Sequence, residues 1–572
     1  MKTRFLFILV LLSMMACNQD KPATSSSFEI NIRLNRDPQR VHPVFSPSSI
    51  GREVFQYIFL PLADFHPEDL KLHPILIEQV PQSEAATDST NVFEMNIREE
   101  ASWSDGTPIT AEDYAFTIKT VLHPLCKATG WKPYFEFFKE VTLDSDKPKN
   151  LKVYIDNKYM LARELAVTIN LLPRHIYDPE NLLANYSISE INKNNPSLQD
   201  SIHVKLFNLI NNSANQKTDM VQCGPYKMTS YENEQYIILE RQDSYWGNKI
   251  KGNPFLENNP QKLIFRIVPD ELTAINMAKE NKLDLLTLST SNTYLELKDD
   301  ESISANWSFQ APQLIRHYYI ALNNKQGLLE DVNLRRALAH LADVDDYMQN
   351  IDGGLGIRTI GHFHPSRQYY NNELEPVPYD VEKAKNILSE TGWEDNNNDG
   401  VREKKIGNTT IDLELDILIT GSQLSKNMAL LLQESAKQAG VRITLTQKST
   451  ALMRKENISS FNYDMVMLSA GQDEAPDDPY SKWHSDNAVP GGGNFMGYVN
   501  PESDKLIEQI RKSTNDDERK PFYLALQNAM YKDQPAIFLY CPLKKMMIHK
   551  RLSGLATTKR PGYLANTFTL TD

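Results

Sequence analysis

The 572-residue chain is poor in cysteine, with four, and beyond its amino terminus it has no apolar run long enough to cross a bilayer. So little cysteine excludes a disulfide-built scaffold, and Cys126, Cys223 and Cys541 lack the paired spacing of a zinc site. Basic residues are in the minority. The resulting net charge of -13 argues against nucleic acid or an anionic membrane surface as a partner. No His-Glu-x-x-His, Gly-x-Ser-x-Gly or glycine-rich phosphate loop occurs. Ser485-Asp486-Asn487 copies one motif of class A β-lactamases, but its Ser-x-x-Lys and Lys-Thr-Gly companions are missing. Neither an enzyme nor a cofactor is expected. What is present, 41% hydrophobic and 24% charged residues, is the composition of a soluble globular protein whose length asks for two or three domains.

Lys2 and Arg4 precede an apolar stretch over residues 5–12, too short for a stable membrane anchor and typical of an export signal. Met14-Met15-Ala16-Cys17 resembles a bacterial lipobox, which implies removal of residues 1–16 and lipidation of Cys17. Residues 17–27, polar with Pro22 and a serine run from Ser25, then form a tether. The expected location is the cell envelope, as a lipoprotein on the periplasmic side that meets the membrane through its lipid alone. An ordinary secretory signal with an incidental Cys17 is the other reading. With Cys17 consumed, an odd number of cysteines remains, read either as three buried thiols or as one disulfide and a free thiol.

Residues 93–116 carry the strongest pattern. Phe93, Met95 and Ile97 alternate with Glu94, Asn96 and Arg98, the period of a half-buried strand. Trp103-Ser104-Asp105-Gly106 then marks a tight turn, and Thr110 with Asp113 three residues on marks a helix start. This order resembles the signature of the extracellular solute-binding proteins of family 5, the peptide- and nickel-binding components of ABC importers. Cys223-Gly224-Pro225-Tyr226, Tyr245-Trp246-Gly247, the strand ending at Asn323 with the helix over residues 332–341, and the stretch from Tyr379 to Trp393 are similar to it as well. The resemblance implies an α/β fold: a two-lobed periplasmic binding protein of type II, cluster C, with an additional small domain. On this reading lobe I takes residues 28–60, 178–290 and 533–572, the small domain 61–177, and lobe II 291–532. Alternation of strand and helix patterns after residue 411 separately asks for a parallel sheet covered by helices.

A two-lobed protein of this kind holds its ligand in the cleft and closes by a hinge. The acidic loop over residues 471–479 is the expected wall, with Asp473, Glu474 and Asp477 as candidate ligand-binding residues and a merely solvated acidic loop as the competing reading. The resemblance implies an aromatic residue and an aspartate ahead of Asp478-Pro479. Counted without a gap those places hold Gln472 and Ala475, and a one-residue shift offers Glu474. Trp483, His484 and Phe495 are candidate pocket walls and Asn323 a further candidate, with packing as the competing role. No metal site is expected: His362 and His364 read as turn residues, and the loop from Asp395 to Gly400 has Ile406 where a calcium loop needs glutamate. The function implied is capture of short peptides by a monomer and delivery to an ABC permease and ATPase complex, without nucleic acid. A nickel chelate, haem or an oligosaccharide on the same scaffold, or a sensor lipoprotein without a transporter, are the alternatives.

Overall fold

The computed structural model describes residues 28–571 apart from 46–47, 88, 129–130, 194, 214–216 and 555, so the expected signal peptide, Cys17 and tether lie outside the described residues. Three sheets of four or more strands organise the rest. In lobe I the strands follow the order Trp307–Gln310, Lys545–His549, Leu285–Leu288, Glu29–Leu34, Lys262–Ile267, Tyr236–Arg241 and Tyr226–Glu232. Glu29–Leu34 is parallel to both neighbours. Ile30 and Ile32 meet Phe265, Ile237 and Leu239 in one apolar cluster, where the period-two pattern sends them.

Lobe II is built on Arg442–Gln447, Glu414–Ile419, Met465–Gly471, Arg316–Leu322 and Ala536–Phe538, the first three parallel. Helices cover both faces. Ile320 and Leu322 join one cluster with the helices Val332–Leu341 and Gln423–Gln438, whereas Tyr319 and Ala321 join another with Pro501–Lys512 and Asp516–Asp533. Burial on both sides explains why residues 318–322 read as a continuous apolar run.

The small domain has an antiparallel sheet of Glu84–Thr87, Thr90–Asn96, Asn150–Asp156 and Phe138–Leu143, joined in a single apolar core with the helix Ala111–Leu122. Its signature turn is structural. The buried Asp113 carboxylate accepts from Trp103 Nε1 at 3.3 Å and from the amides of Thr110 and Arg174 at 2.9 Å each. Gly106 supplies the turn's positive φ of 89°. Tyr226 is a core residue whose hydroxyl donates to Pro260 O, and a side chain at Gly224 would collide with the backbone of Tyr57 and Ile58. Cys126, Cys223 and Cys541 are all free thiols.

Two lobe boundaries differ from the sequence expectation. The strand Trp307–Gln310 pairs with Lys545–His549 in the lobe I sheet, so lobe II begins after residue 310 rather than at 291. At the other end Ala536–Phe538 still pairs with Arg316–Leu322 and Tyr540–Pro542 with Gly356–Arg358, so the chain leaves lobe II after residue 542 rather than at 533. Which sheet a strand joins is set by a partner remote in sequence, which local patterns do not encode.

The two crossings run side by side. Gln313 bridges Leu543, and the Lys544 amide donates to Pro312 O at 2.8 Å. Beside them the buried Asp352 of lobe II accepts from Lys545 Nζ at 2.8 Å and Tyr540 OH at 3.0 Å. The lobes are thus joined by two adjacent crossings tied to each other by main-chain hydrogen bonds.

Candidate functional site

The lobes and the small domain meet around a cleft with two chambers. The larger, of about 540 Å³, is walled by the aromatic residues Phe59, Phe65, Trp131 and Tyr134 together with the charged residues Arg52, Asp64, Lys127 and Lys559. The smaller, of about 490 Å³, lies between the small domain and lobe II, where Lys158, Arg163, Arg511, Lys512 and Arg519 outnumber Glu164 and Glu508. Tyr159 and Glu164 belong to the walls of both chambers. Four of the smaller chamber's cations are already ion-paired, Arg163 with Glu164, Arg511 with Asp478, Lys512 with Glu508 and Arg519 with Asp516.

Glu164 sits in the helix Ala162–Val167, directly after the segment that joins the small domain's sheet to it. One carboxylate oxygen, Oε1, accepts from Arg163 Nη2 at 2.8 Å. The other, Oε2, is buried without a hydrogen-bond partner. A carboxylate oxygen left in that state costs about 1–3 kcal/mol or more unless something donates to it. Just ahead, Met160 crosses the boundary and is buried in the lobe II cluster of Tyr319, Trp483 and Tyr523, and its carbonyl accepts from Arg519 Nη2 at 2.9 Å.

On the opposite wall Arg560, from the carboxyl-terminal part of lobe I, reaches across to the acidic loop. It donates to Asp473 Oδ1 at 2.5 Å, and to Glu474 Oε1 at 3.1 Å and Oε2 at 3.2 Å. Burial pushes the Glu474 carboxyl up, but the hydrogen bonds and charge of Arg560 and the charge of Lys559 outweigh it and hold the group down at about 2. Arg367 supports the loop from behind through the carbonyls of Asp473 and Glu474. Asp473 and Glu474 thus line the larger chamber as the anionic half of an interlobe ion pair with Arg560.

The remaining expectations are corrected. Asp477 does not face the ligand space: its carboxylate pairs with buried His362 Nε2 at 3.0 Å, while Tyr369 OH accepts from its amide. Trp483 is 2% exposed and packs against His362, Tyr498 and Phe538. His484 is buried and stacks on Tyr480 at 4.4 Å. Phe495 packs against the apolar cluster around Trp483, and its carbonyl accepts from Tyr463 OH. Asn323 is 1% exposed, and its Nδ2 donates to the carbonyls of Phe461 and Tyr463, both at 2.7 Å. Asn323 and Phe495 thus hold the chain around residues 461–463, at the end of the strand Met465–Gly471 remote from the acidic loop.

Ala475 does line the larger chamber, at the place where the resemblance implies an ammonium-binding aspartate. It has no carboxylate to offer. Sequence reasoning missed Glu164, Arg560 and the basic side chains of the smaller chamber. A Lys559-Arg560 pair beside a proline near the carboxyl terminus was visible, but nothing local pointed it at an acidic loop more than eighty residues away.

Among the described residues no helix is long and apolar enough to cross a membrane. The sequence model of the bacterial extracellular solute-binding proteins, family 5, matches residues 71–491. The oligopeptide-binding protein AppA of Bacillus subtilis is 24% identical over 524 residues, which cover 91% of this chain and 87% of that protein. The structure of AppA in complex with a nonapeptide superposes with a TM-score of 0.64 at 20% identity, covering 95% of this chain and 99% of that one. HbpA2 from Haemophilus parasuis superposes with a TM-score of 0.75 at 16% identity, covering 95% and 100%. At these identities the superpositions show a shared fold. The two-lobed architecture, the cleft between the lobes and a match over most of the chain agree: this protein belongs to the extracellular solute-binding proteins of family 5, the binding components of ABC importers, and is not an enzyme.

Proposed function

We propose that the chain captures short peptides in the two-chambered cleft and hands them to an ABC permease and ATPase complex, held at the membrane by a lipid on Cys17. The observation that carries this reading is the cleft itself, two neighbouring chambers of about 540 and 490 Å³ whose walls share Tyr159 and Glu164. An extended zwitterion needs an anionic place for its ammonium, a cationic place for its carboxylate and tolerant walls between them. Glu164 Oε2, the acceptor without a donor, is the proposed ammonium anchor. The cations of the smaller chamber, Lys158 and the ion-paired Arg511 and Arg519, suit the carboxylate, and the aromatic walls of the larger one suit varied side chains. Asp473 and Glu474 serve as wall and latch, with Arg560 in the place of a ligand cation.

The test is calorimetric titration of the mature chain with pooled di- to hexapeptides, with nickel-histidine and haem in parallel. Peptide binding that falls at least tenfold in Glu164→Gln, with the thermal midpoint kept, is the expected result. Binding of nickel-histidine or haem with no response to any peptide overturns the peptide reading, and undiminished peptide affinity in Glu164→Gln removes the anchor.

A further inference from the structure

At the rim of the cleft a short turn gathers three metal-ligating side chains that the peptide reading does not use. The strands Ala63–Phe65 and Leu72–Pro74 pair antiparallel, with Asp64 opposite His73. Between them the chain reverses through a turn closed by His66 N to Lys71 O at 2.8 Å and Leu70 N to His66 O at 3.0 Å. Leu70 sits in the left-handed region at φ 53°, a conformation that costs a non-glycine residue about 1 kcal/mol or more. The reversal lays the His66 ring on the His73 ring at 4.3 Å. It also brings Asp69 between them, with Oδ1 4.0 Å from His66 Nδ1 and Oδ2 3.3 Å from His73 Nε2. One ligand atom from each residue lies within 4.8 Å of the other two.

We propose that His66, Asp69 and His73 form a site for a divalent transition-metal ion of the zinc type, separate from the peptide cleft. Two imidazole nitrogens and one carboxylate oxygen are a donor set such ions take, whereas calcium and magnesium ask for more oxygens. At metal–ligand distances of about 2.0–2.2 Å, tetrahedral ligand atoms stand roughly 3.3–3.6 Å apart. The two imidazoles approach different oxygens of Asp69, at 4.0 and 3.3 Å, and a single ligand atom from each residue lies within 4.8 Å of the others. The stacked rings and the carboxylate would therefore turn to converge on one ion, as their partial or full exposure allows. The Lys71 amide donates to Asp69 Oδ1 at 2.8 Å and fixes the carboxylate from outside, the support that metal ligands commonly receive. The Glu68 amide lies 3.3 Å from His66 Nδ1, a long contact that an ion at that lone pair would replace. The fourth position stays open to water.

The site adjoins the cleft without being part of it. Asp64 and Phe65 line the larger chamber, and Asp64 pairs with Lys559 Nζ at 2.7 Å. His66, Asp69 and His73 are absent from both chamber walls.

Zinc chloride titrated calorimetrically into the metal-free mature chain at pH 7.5 tests the proposal. Saturable binding of one ion per chain is expected, weakened at least tenfold in His66→Gln and in His73→Gln. Millimolar calcium should not compete. The metal-free thermal midpoint of each variant, unchanged from the wild type, separates loss of a ligand from loss of the fold. Absence of saturable binding, or equal zinc affinity in the His66→Gln/His73→Gln double variant, overturns the site.

Discussion

Replacement of Arg560 by glutamine removes the cation that ties lobe I to the acidic loop. Glu474 is 7% exposed, and its carboxyl is held at about 2 against an ordinary 4.5. At about 1.36 kcal/mol per pKa unit, the ceiling on what the closed cleft gives the charged carboxylate is about 3 kcal/mol. The Arg560 side chain is 40% exposed, so solvent screens part of this. About 1–2 kcal/mol remains, a factor of roughly 5–30 in the balance between closed and open lobes. Arg560→Gln should therefore enlarge the radius of gyration of the unliganded protein in X-ray scattering at pH 7. It should also weaken ligand binding by a similar factor, because less of the protein is in the closed form.

The pH dependence has a definite sign. A carboxyl whose pKa is depressed in the closed form stabilises that form fully above its ordinary value of 4.5, and the contribution is lost as pH falls through about 2. The wild type should begin to open as pH drops below 4.5, whereas Arg560→Gln should show little further opening over the same interval. A variant as compact as the wild type at pH 7, with unchanged affinity, would refute the latch.

Met160→Ala should undock the small domain from lobe II, since large-to-small changes at buried sites cost about 2–5 kcal/mol. Faster hydrogen exchange over residues 159–165, with the strand Met465–Gly471 still protected, is the expected signature; uniform exchange rates in variant and wild type would contradict it. Asn323→Ala leaves the Tyr463 carbonyl without its donor, while Phe461 O keeps Gln326 Nε2, and should lower stability to urea by about 1–3 kcal/mol while the remaining folded protein binds ligand normally. Lost affinity at unchanged stability would return Asn323 to the ligand site.

Much of the scaffold was legible because its signals are local. The turn at Trp103-Ser104-Asp105-Gly106, the helix start at Thr110 and the alternation through Phe93, Met95 and Ile97 each rest on neighbours within a few residues. The acidic loop was found for the same reason: its carboxylates stand together in the chain. The roles of its members were not. A Trp, His, Asn or Asp in a loop carries the same letter whether it meets ligand or packs beneath it, and Trp483, His484, Asn323 and Asp477 proved to be packed and paired.

By itself the sequence determined the family, the helices and strands, and the turn chemistry that starts and stops them. Period, capping and glycine angles act over one or two turns of chain, and so are written contiguously. Only the tertiary structure decided what the cleft is made of. It set residues 159–164 beside 508–519, gave Glu474 the Arg560 cation and left Glu164 Oε2 without a donor. Ion pairing and desolvation depend on distance in space, and here folding joined residues hundreds of positions apart.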